Sequence, residues 1–228
     1  YTTDPEYEAI PPLHEKRYAA DRATEIGERA TPSAEIEVGM PDSGAEDADT
    51  VLLCVADREG NVVSYINSRF AGFGSGLVAE GTGVALQNRG ASFSLDPDHP
   101  NSLEPEKRPF HTLIPGLARL GEDDWLAFGV MGGYMQPQGH LQVLSNLLDH
   151  GLSLQSALDY PRWRYREDGR LAVESRFDPE TLTGLARRGH DVTVEPPGAF
   201  GGGQIVRSAN GVLSGASEPR KDGVAIGY

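Results

Sequence analysis

The sharpest constraint on this chain is the seam at residues 46–56, EDADTVLLCVA. An acidic run stops at Thr50 and an apolar, β-rich run, VLLCVAD, begins at once. REG follows, then a second β-rich run, NVVSYIN, so the two runs are predicted to form a hairpin. A lone hairpin is marginal in water and must lay one face on another layer. The chain after residue 50 therefore has to build a layered structure on it. Residues 31–49, TPSAEIEVGMPDSGAEDAD, cannot contribute: Pro, Gly, Ser and acid without periodicity read as a loop or disordered linker. Before them, residues 12–30 are predicted as a helix with Leu13, Tyr18 and Ile26 on one stripe.

Beyond the hairpin, AGFGSGLVAEGTG is a glycine-rich connection and VALQN a short third strand. SLDPDHPNSLEPEKRP is a long polar loop whose prolines exclude regular structure. HTLIPGLARL and WLAFGVMGG read as strands. QPQGHLQVLSNLLDHG reads as a helix with Leu141, Leu144, Leu147 and Leu148 on a face and Gly151 at its end. LSLQSALDYPRW is a second helix stopped by Pro161, LAVES a strand, and DPETLTGLARRGH a third helix with Asp178 as N-cap and Pro179 at its first position. DVTVEP, GGQIVRS and GVLSGAS close the chain as strands. Strands early, helices in the middle and strands late predict a layered α+β domain.

With 228 residues, one domain or one plus an appendage is expected. The net charge of −14 argues against nucleic acid and anionic membranes as partners. Residues 1–49 hold −9 of it, from four Lys/Arg and thirteen Asp/Glu. No window approaches a membrane span and none reads as a signal peptide. The first thirty residues read as mid-domain sequence, so no compartment is assigned. The single cysteine, Cys54, can form no internal disulfide and reads as a small core residue.

Thr50 is the first candidate for chemistry. A threonine hydroxyl is a weak nucleophile and needs an adjacent base. Cutting the Asp49–Thr50 bond would put a free α-amino group beside that hydroxyl, with a pKa of about 7.7–8.0, close to ideal for a general base. Taken alone, a threonine there also suits plain β-propensity or a cap. Gly132 and Gly133 follow an apolar strand and precede a helix, where paired glycines let N–H groups converge as an oxyanion hole needs. They also suit a simple strand-end turn. GFGSG at 72–76 lacks the following helix and the G-K-[ST] of a phosphate loop. The six histidines show no metal-ligand spacing, so no metal site is expected, and there is no G-x-S-x-G.

In order and spacing, these segments resemble the C-terminal part of the γ-glutamyltransferases, members of the N-terminal-nucleophile (Ntn) hydrolases. The resemblance rests on T-x-x-L-x-V-x-D-x-x-G-N-x-V-S at 50–64, FGSG at 73–76, G-x-x-L-Q-N at 83–88 and KRP at 107–109. It continues with GG at 132–133, PRW at 161–163 and S-E-P-R-K-D-G-x-A-x-G-Y at 217–228. It implies a four-layer αββα sandwich, of which the small-chain portion supplies two antiparallel sheets. Residues 1–30 would be the helical end of the large chain, 31–49 the cleavage linker and 50–228 the small catalytic chain. Cleavage between Asp49 and Thr50 would be autocatalytic, and acyl transfer would run through the Thr50 Oγ of a γ-glutamyl donor such as glutathione. Ser68 would support Thr50, and the N–H groups of Gly132 and Gly133 would hold the oxyanion. The implied partners are the large chain of the same precursor and a small-molecule amide, with no cofactor.

The donor pocket departs from the family pattern. Phe70 stands where the family has Asn, Arg89 where it has Gln and Ser92 where it has Asp, while His111-Thr112 replaces a serine pair. Without the carboxylate at position 92 the partner for an α-amino group is lost, while Arg89 can still clamp a carboxylate. That leaves two alternatives beside the transferase reading: a glutaryl- or cephalosporin-type acylase on the same fold, and an uncleaved or non-catalytic homologue.

Overall fold

The computed structural model describes residues 3–10, 12–32, 35 and 48–228. Most of the linker expectation, at 33–34 and 36–47, therefore lies outside the described residues. In chain order the elements are helix α1 (Lys16–Ala23), strands β1 (Ala48–Ala56), β2 (Val62–Ala71), β3 (Gly116–Gly121) and β4 (Asp124–Met131), then helices α2 (Met135–Leu148) and α3 (Leu154–Asp159). Strands β5 (Trp163–Tyr165) and β6 (Leu171–Glu174) follow, then helix α4 (Pro179–Arg187) and strands β7 (Val192–Glu195), β8 (Gly202–Ala209) and β9 (Val212–Ser217).

The predicted hairpin is β1–β2, antiparallel, with Leu52 opposite Ile66 and Cys54 opposite Ser64. It lies on a four-stranded antiparallel sheet of order β3-β4-β8-β9. Alternation along β4 decides which face meets what. A Cβ on Gly129 would lie 3.0 Å from the Leu52 side chain, so that face carries the hairpin. Val130 points the other way, against Gly139 of α2. On that second face Leu126, Phe128 and Val130 join Val143, Leu158, Ile205 and Ala216 in the main core. Full burial of each large apolar side chain is worth about 1.5–3 kcal/mol, so the sheet–helix contact anchors the chain. The described residues thus stack as hairpin, sheet and helices, three layers of the expected sandwich. The outer face of the hairpin, with Val51, Leu53, Val55, Val63 and Tyr65, is exposed.

Beside the two antiparallel units is a third, small sheet, β5-β6-β7, in which β6 and β7 run parallel. The parallel pair needs a crossover, and α4 is that crossover. Its N-cap is as expected: Asp178 accepts the Thr181 N–H at 3.0 Å and Pro179 opens the helix.

Three expectations change. The first helix is only Lys16–Ala23, not 12–30, and buries nothing. Leu13 and Ile26 fall outside it and are exposed, because no side chain caps its start and no layer receives its stripe. VALQN is not a strand: only one bridge, Val78 to Ala85, forms, since glycines with positive φ at 74, 76, 81 and 83 curl the segment on itself. In α2, Leu141 and Leu148 face solvent, and the buried positions are Met135, Gln136, Gly139 and Val143. Of the predicted face, Leu144 and Leu147 do pack against the core, but the positions buried deepest are Met135, Gly139 and Val143, at i, i+4 and i+8, with Gln136 beside them.

Beneath this, a buried ionic cluster ties the last residues to the core. Arg162 donates to Glu218 Oε2 at 2.7 Å, and Arg220 bonds Glu218 Oε1 at 2.6 Å and Glu174 Oε1 at 2.5 Å. Gly203 N–H shares Glu218 Oε2, and Arg162 also donates to the Phe200 carbonyl at 3.1 Å. At the other end, Asp4 forms a bidentate pair with Arg108, strapping the first described residues to the 93–110 loop.

Candidate active site

Thr50 shares the inner face of β1 with Leu52, and both are buried. Its Oγ1 lies 3.0 Å from Ser68 Oγ, directly across the ladder. Ser68 Oγ also accepts the Phe70 N–H at 3.0 Å. The register then slips. Thr50 pairs with Ser68 but Asp49 pairs with Phe70, so Arg69 is an extra residue and a bulge faces the Asp49–Thr50 bond. Bulges re-aim side chains and are common beside active sites. Phe70 pays for this one with φ of +79°, uncommon for a bulky residue and costing about 1–3 kcal/mol. The surroundings hold it there. Its ring is buried, and Asn88 accepts the Ala71 N–H at 3.0 Å while donating to the carbonyls of Ala71 and Gly74.

Arg89, next to Asn88, opens a short 3-10 turn that ends at Ser92. Its guanidinium carbon sits 3.6 Å from the Phe70 ring centroid, and its Nη2 donates to Thr112 Oγ1 at 3.1 Å. The residue is 3% exposed, and burial pushes its pKa down to about 10, offset in part by Tyr134. It stays cationic at neutral pH. Among the described side chains no carboxylate pairs with it, and its Nη1 has no hydrogen-bond partner. Ser92 is also buried with its Oγ unpartnered. His111 is at the surface. Partial burial, and then the Arg89 charge, lower its pKa and favour the neutral ring, whose Nδ1 accepts the Leu113 N–H at 3.1 Å.

Gly132 and Gly133 end β4 with φ of +122° and +59° and hand the chain to α2, their carbonyls accepting from Met135 and Gln136. A Cβ on Gly132 would lie 3.0 Å from Gly201 Cα, and one on Gly201 only 2.1 Å from the Met131 carbonyl oxygen. Two glycine segments therefore cross in van der Waals contact. This explains the glycines at 132 and 201 on packing grounds, and it leaves the pair at the positive end of a 14-residue helix. The next residues join the pair to the Arg89 cluster. Tyr134 interacts electrostatically with Arg89, and Gln136 Oε1 accepts the Ile114 N–H at 3.4 Å, two residues beyond Thr112.

The structure thus links Thr50, Ser68, Phe70, Arg89 and Thr112 through direct contacts, with Ser92 and His111 at the margin and the glycine pair one element away. Sequence reading missed Asn88, Tyr134 and Gln136. Only the L-Q-N and GG motifs beside them were a signal. Cys54, half-buried against Ser64 and the Gln204 carbonyl, has its thiol pushed up to about 11 by burial and is chemically quiet. A cavity of about 410 Å³ lined by residues from Arg22 to Thr31 together with Glu35, Tyr165, Arg188 and His190 contains none of these groups.

The family model described as gamma-glutamyltranspeptidase matches residues 1–228. The chain belongs to the gamma-glutamyltranspeptidase family. Among similar family members, it is 40% identical to a glutathione hydrolase-like proenzyme of Bacillus subtilis, YwrD, over 99% of this chain and 43% of that protein. It is 42% identical to an oxamate amidohydrolase proenzyme of Klebsiella pneumoniae over 81% of this chain and 37% of that protein. Of solved structures, a cephalosporin acylase from Bacillus halodurans superposes with a TM-score of 0.81 at 44% identity, covering 97% of this chain and 40% of that one. The fold is therefore that of the Ntn hydrolases, as the resemblance implied. The chain spans about two-fifths of the length of these relatives.

Proposed function

We propose that this gamma-glutamyltranspeptidase-family chain carries the catalytic part of an autocatalytically cleaved amidohydrolase or acyltransferase, with Thr50 as nucleophile. Once the Asp49–Thr50 bond is cut, the Thr50 α-amino group takes the Oγ1 proton as Oγ1 attacks the amide carbonyl. The N–H groups of Gly132 and Gly133 stabilise the resulting oxyanion. The ammonium returns its proton to the leaving amine, leaving an ester on Oγ1, which water or an acceptor amine then cleaves by the same steps in reverse. Ser68 holds the hydroxyl in place.

The observation that carries this reading is the 3.0 Å Thr50–Ser68 contact, buried and set opposite a bulge at the bond to be cut. On this reading residues 1–30 end the large chain, 31–49 are the cleavage linker and 50–228 form the small chain. The exposed apolar face of the hairpin is where the large chain would add the fourth layer. The relatives' names, which include proenzymes, a glutathione hydrolase, an oxamate amidohydrolase and acylases, support amide chemistry after maturation. They leave two donor classes, γ-glutamyl amides and acyl amides of the glutaryl or cephalosporin type.

N-terminal sequencing and intact mass of the purified full-length protein test the proposal. A new N-terminus at Thr50 is expected, absent in Thr50→Ala together with all amide turnover. A folded wild-type protein that stays joined across Asp49–Thr50 would leave the uncleaved, non-catalytic homologue as the reading.

A further inference from the structure

A buried cation without an anion is costly and is normally paired. Arg89 is such a cation. Its guanidinium carbon sits over the Phe70 ring, and Nη2 donates to the neutral Thr112 hydroxyl. Nη1 has no partner, and among the described residues no acidic side chain reaches it. Two more buried polar atoms nearby lack partners: Ser92 Oγ, on the turn that Arg89 opens, and Gln136 Nε2, whose amide oxygen holds the loop just past Thr112. All three can donate hydrogen bonds. The platform under the guanidinium is the same Phe70 whose N–H donates to Ser68 Oγ, itself 3.0 Å from Thr50 Oγ1. Cation and candidate nucleophile are therefore joined by three successive contacts, through Phe70 and Ser68.

We propose that Arg89, seated on Phe70 and oriented by Thr112, is a carboxylate clamp that selects acyl groups bearing a remote carboxylate and no α-ammonium, making the substrates monoamides of simple dicarboxylic acids. The clamp rests on the Thr50 reading for its reaction but not for its ligand. A planar guanidinium with a free edge matches a carboxylate bidentately. An ammonium beside the same carboxylate would meet Arg89, and no described acid offsets that repulsion.

The test uses the full-length protein and three 4-nitroanilides: glutaryl, γ-glutamyl and pentanoyl, the last replacing the glutaryl carboxylate with a methyl group. Wild type should favour glutaryl over pentanoyl by about 100-fold in kcat/KM, as expected for a desolvated charge pair. It should also favour glutaryl over γ-glutamyl by about tenfold, the effect of one unfavourable charge contact. In Arg89→Gln the glutaryl-to-pentanoyl ratio should fall toward one. Glutarate binding, measured by calorimetry without turnover, should weaken by about 100-fold in Arg89→Gln, and by less in Arg89→Lys, which keeps the charge without the fork. A preference for the γ-glutamyl compound, an unchanged ratio in Arg89→Gln, or no glutarate binding by wild type would each overturn the clamp. Arg89-dependent glutarate binding in a protein that turns over no anilide would instead keep the clamp and refute Thr50 catalysis.

Discussion

Replacing Arg162 by Met tests how the last residues of the chain are held. Arg162 is 2% exposed, and its partner Glu218 is equally buried at 2.7 Å. The neighbouring pair, Arg220 with Glu174, is buried too, so the buried members are two cations and two carboxylates, and the half-exposed Arg176 caps Glu174 Oε2 from the rim. Arg162→Met leaves one carboxylate in excess among the buried groups, where Glu218 Oε2 loses its cation, and frees the Phe200 carbonyl that Arg162 holds. Breaking one partner out of a buried pair costs about 3–5 kcal/mol. At tenfold per 1.4 kcal/mol, amides that exchange through local opening should exchange at least about a hundredfold faster. The segments to read by hydrogen exchange and mass spectrometry are 158–163 and 200–206, because Gly203 N–H is bonded to Glu218 itself. Adding Glu218→Gln restores the charge balance, since Arg220 keeps Glu174. The double variant should therefore lose less than the single, by about 2 kcal/mol, as neutralising both members of a buried pair is far cheaper than stranding one. Less than tenfold acceleration in the single variant, or a double variant that loses the sum of two single effects, would refute the view that the cluster acts through charge balance.

Two further outcomes follow from burial and crowding. His140, packed 5.0 Å from the Phe128 ring, has its pKa pushed down to about 4 by burial. The unfolded chain takes up that proton near pH 6.5 and the folded one only near 4. Stability should therefore be full above pH 6.5 and fall by up to about 3 kcal/mol on acidification to pH 4, a slope that His140→Phe should flatten in denaturant titrations. Gly201→Ala would drive a methyl group onto the Met131 carbonyl at a φ of +71°, and should cost about 2–4 kcal/mol in thermal unfolding while displacing the Gly132–Gly133 turn.

The elements legible from sequence were those whose signals are local. Two apolar, β-rich runs joined by REG marked β1–β2, and Asp178-Pro179 marked the start of α4. The ordered motifs carried the family, and the family carried the fold. Where a signal depended on what lay opposite, sequence reading failed. Of the four α2 leucines assigned inward, Leu144 and Leu147 do pack on the core, while the close sheet accepts Gly139 and Val143 and leaves Leu141 and Leu148 in water. The helix at 12–30 was drawn from a stripe that no layer receives.

The candidate site divides in the same way. Thr50, the glycine pair and Arg89 could all be named from one dimension: a threonine at an acidic seam and a doubled glycine after a strand are properties of neighbours in the chain, and Arg89 stood out as a departure from the family pattern just after the L-Q-N motif. Their relation to one another could not. The extra residue in β2 that turns Phe70 under Arg89, the Asn88 amide that holds it there and the absence of a described acid beside that cation arise only when segments 14–23 residues apart in the chain meet. Sequence determines which side chains are available and which elements they form. Packing determines which of their charges and donors are left without partners, and recognition of a ligand begins there.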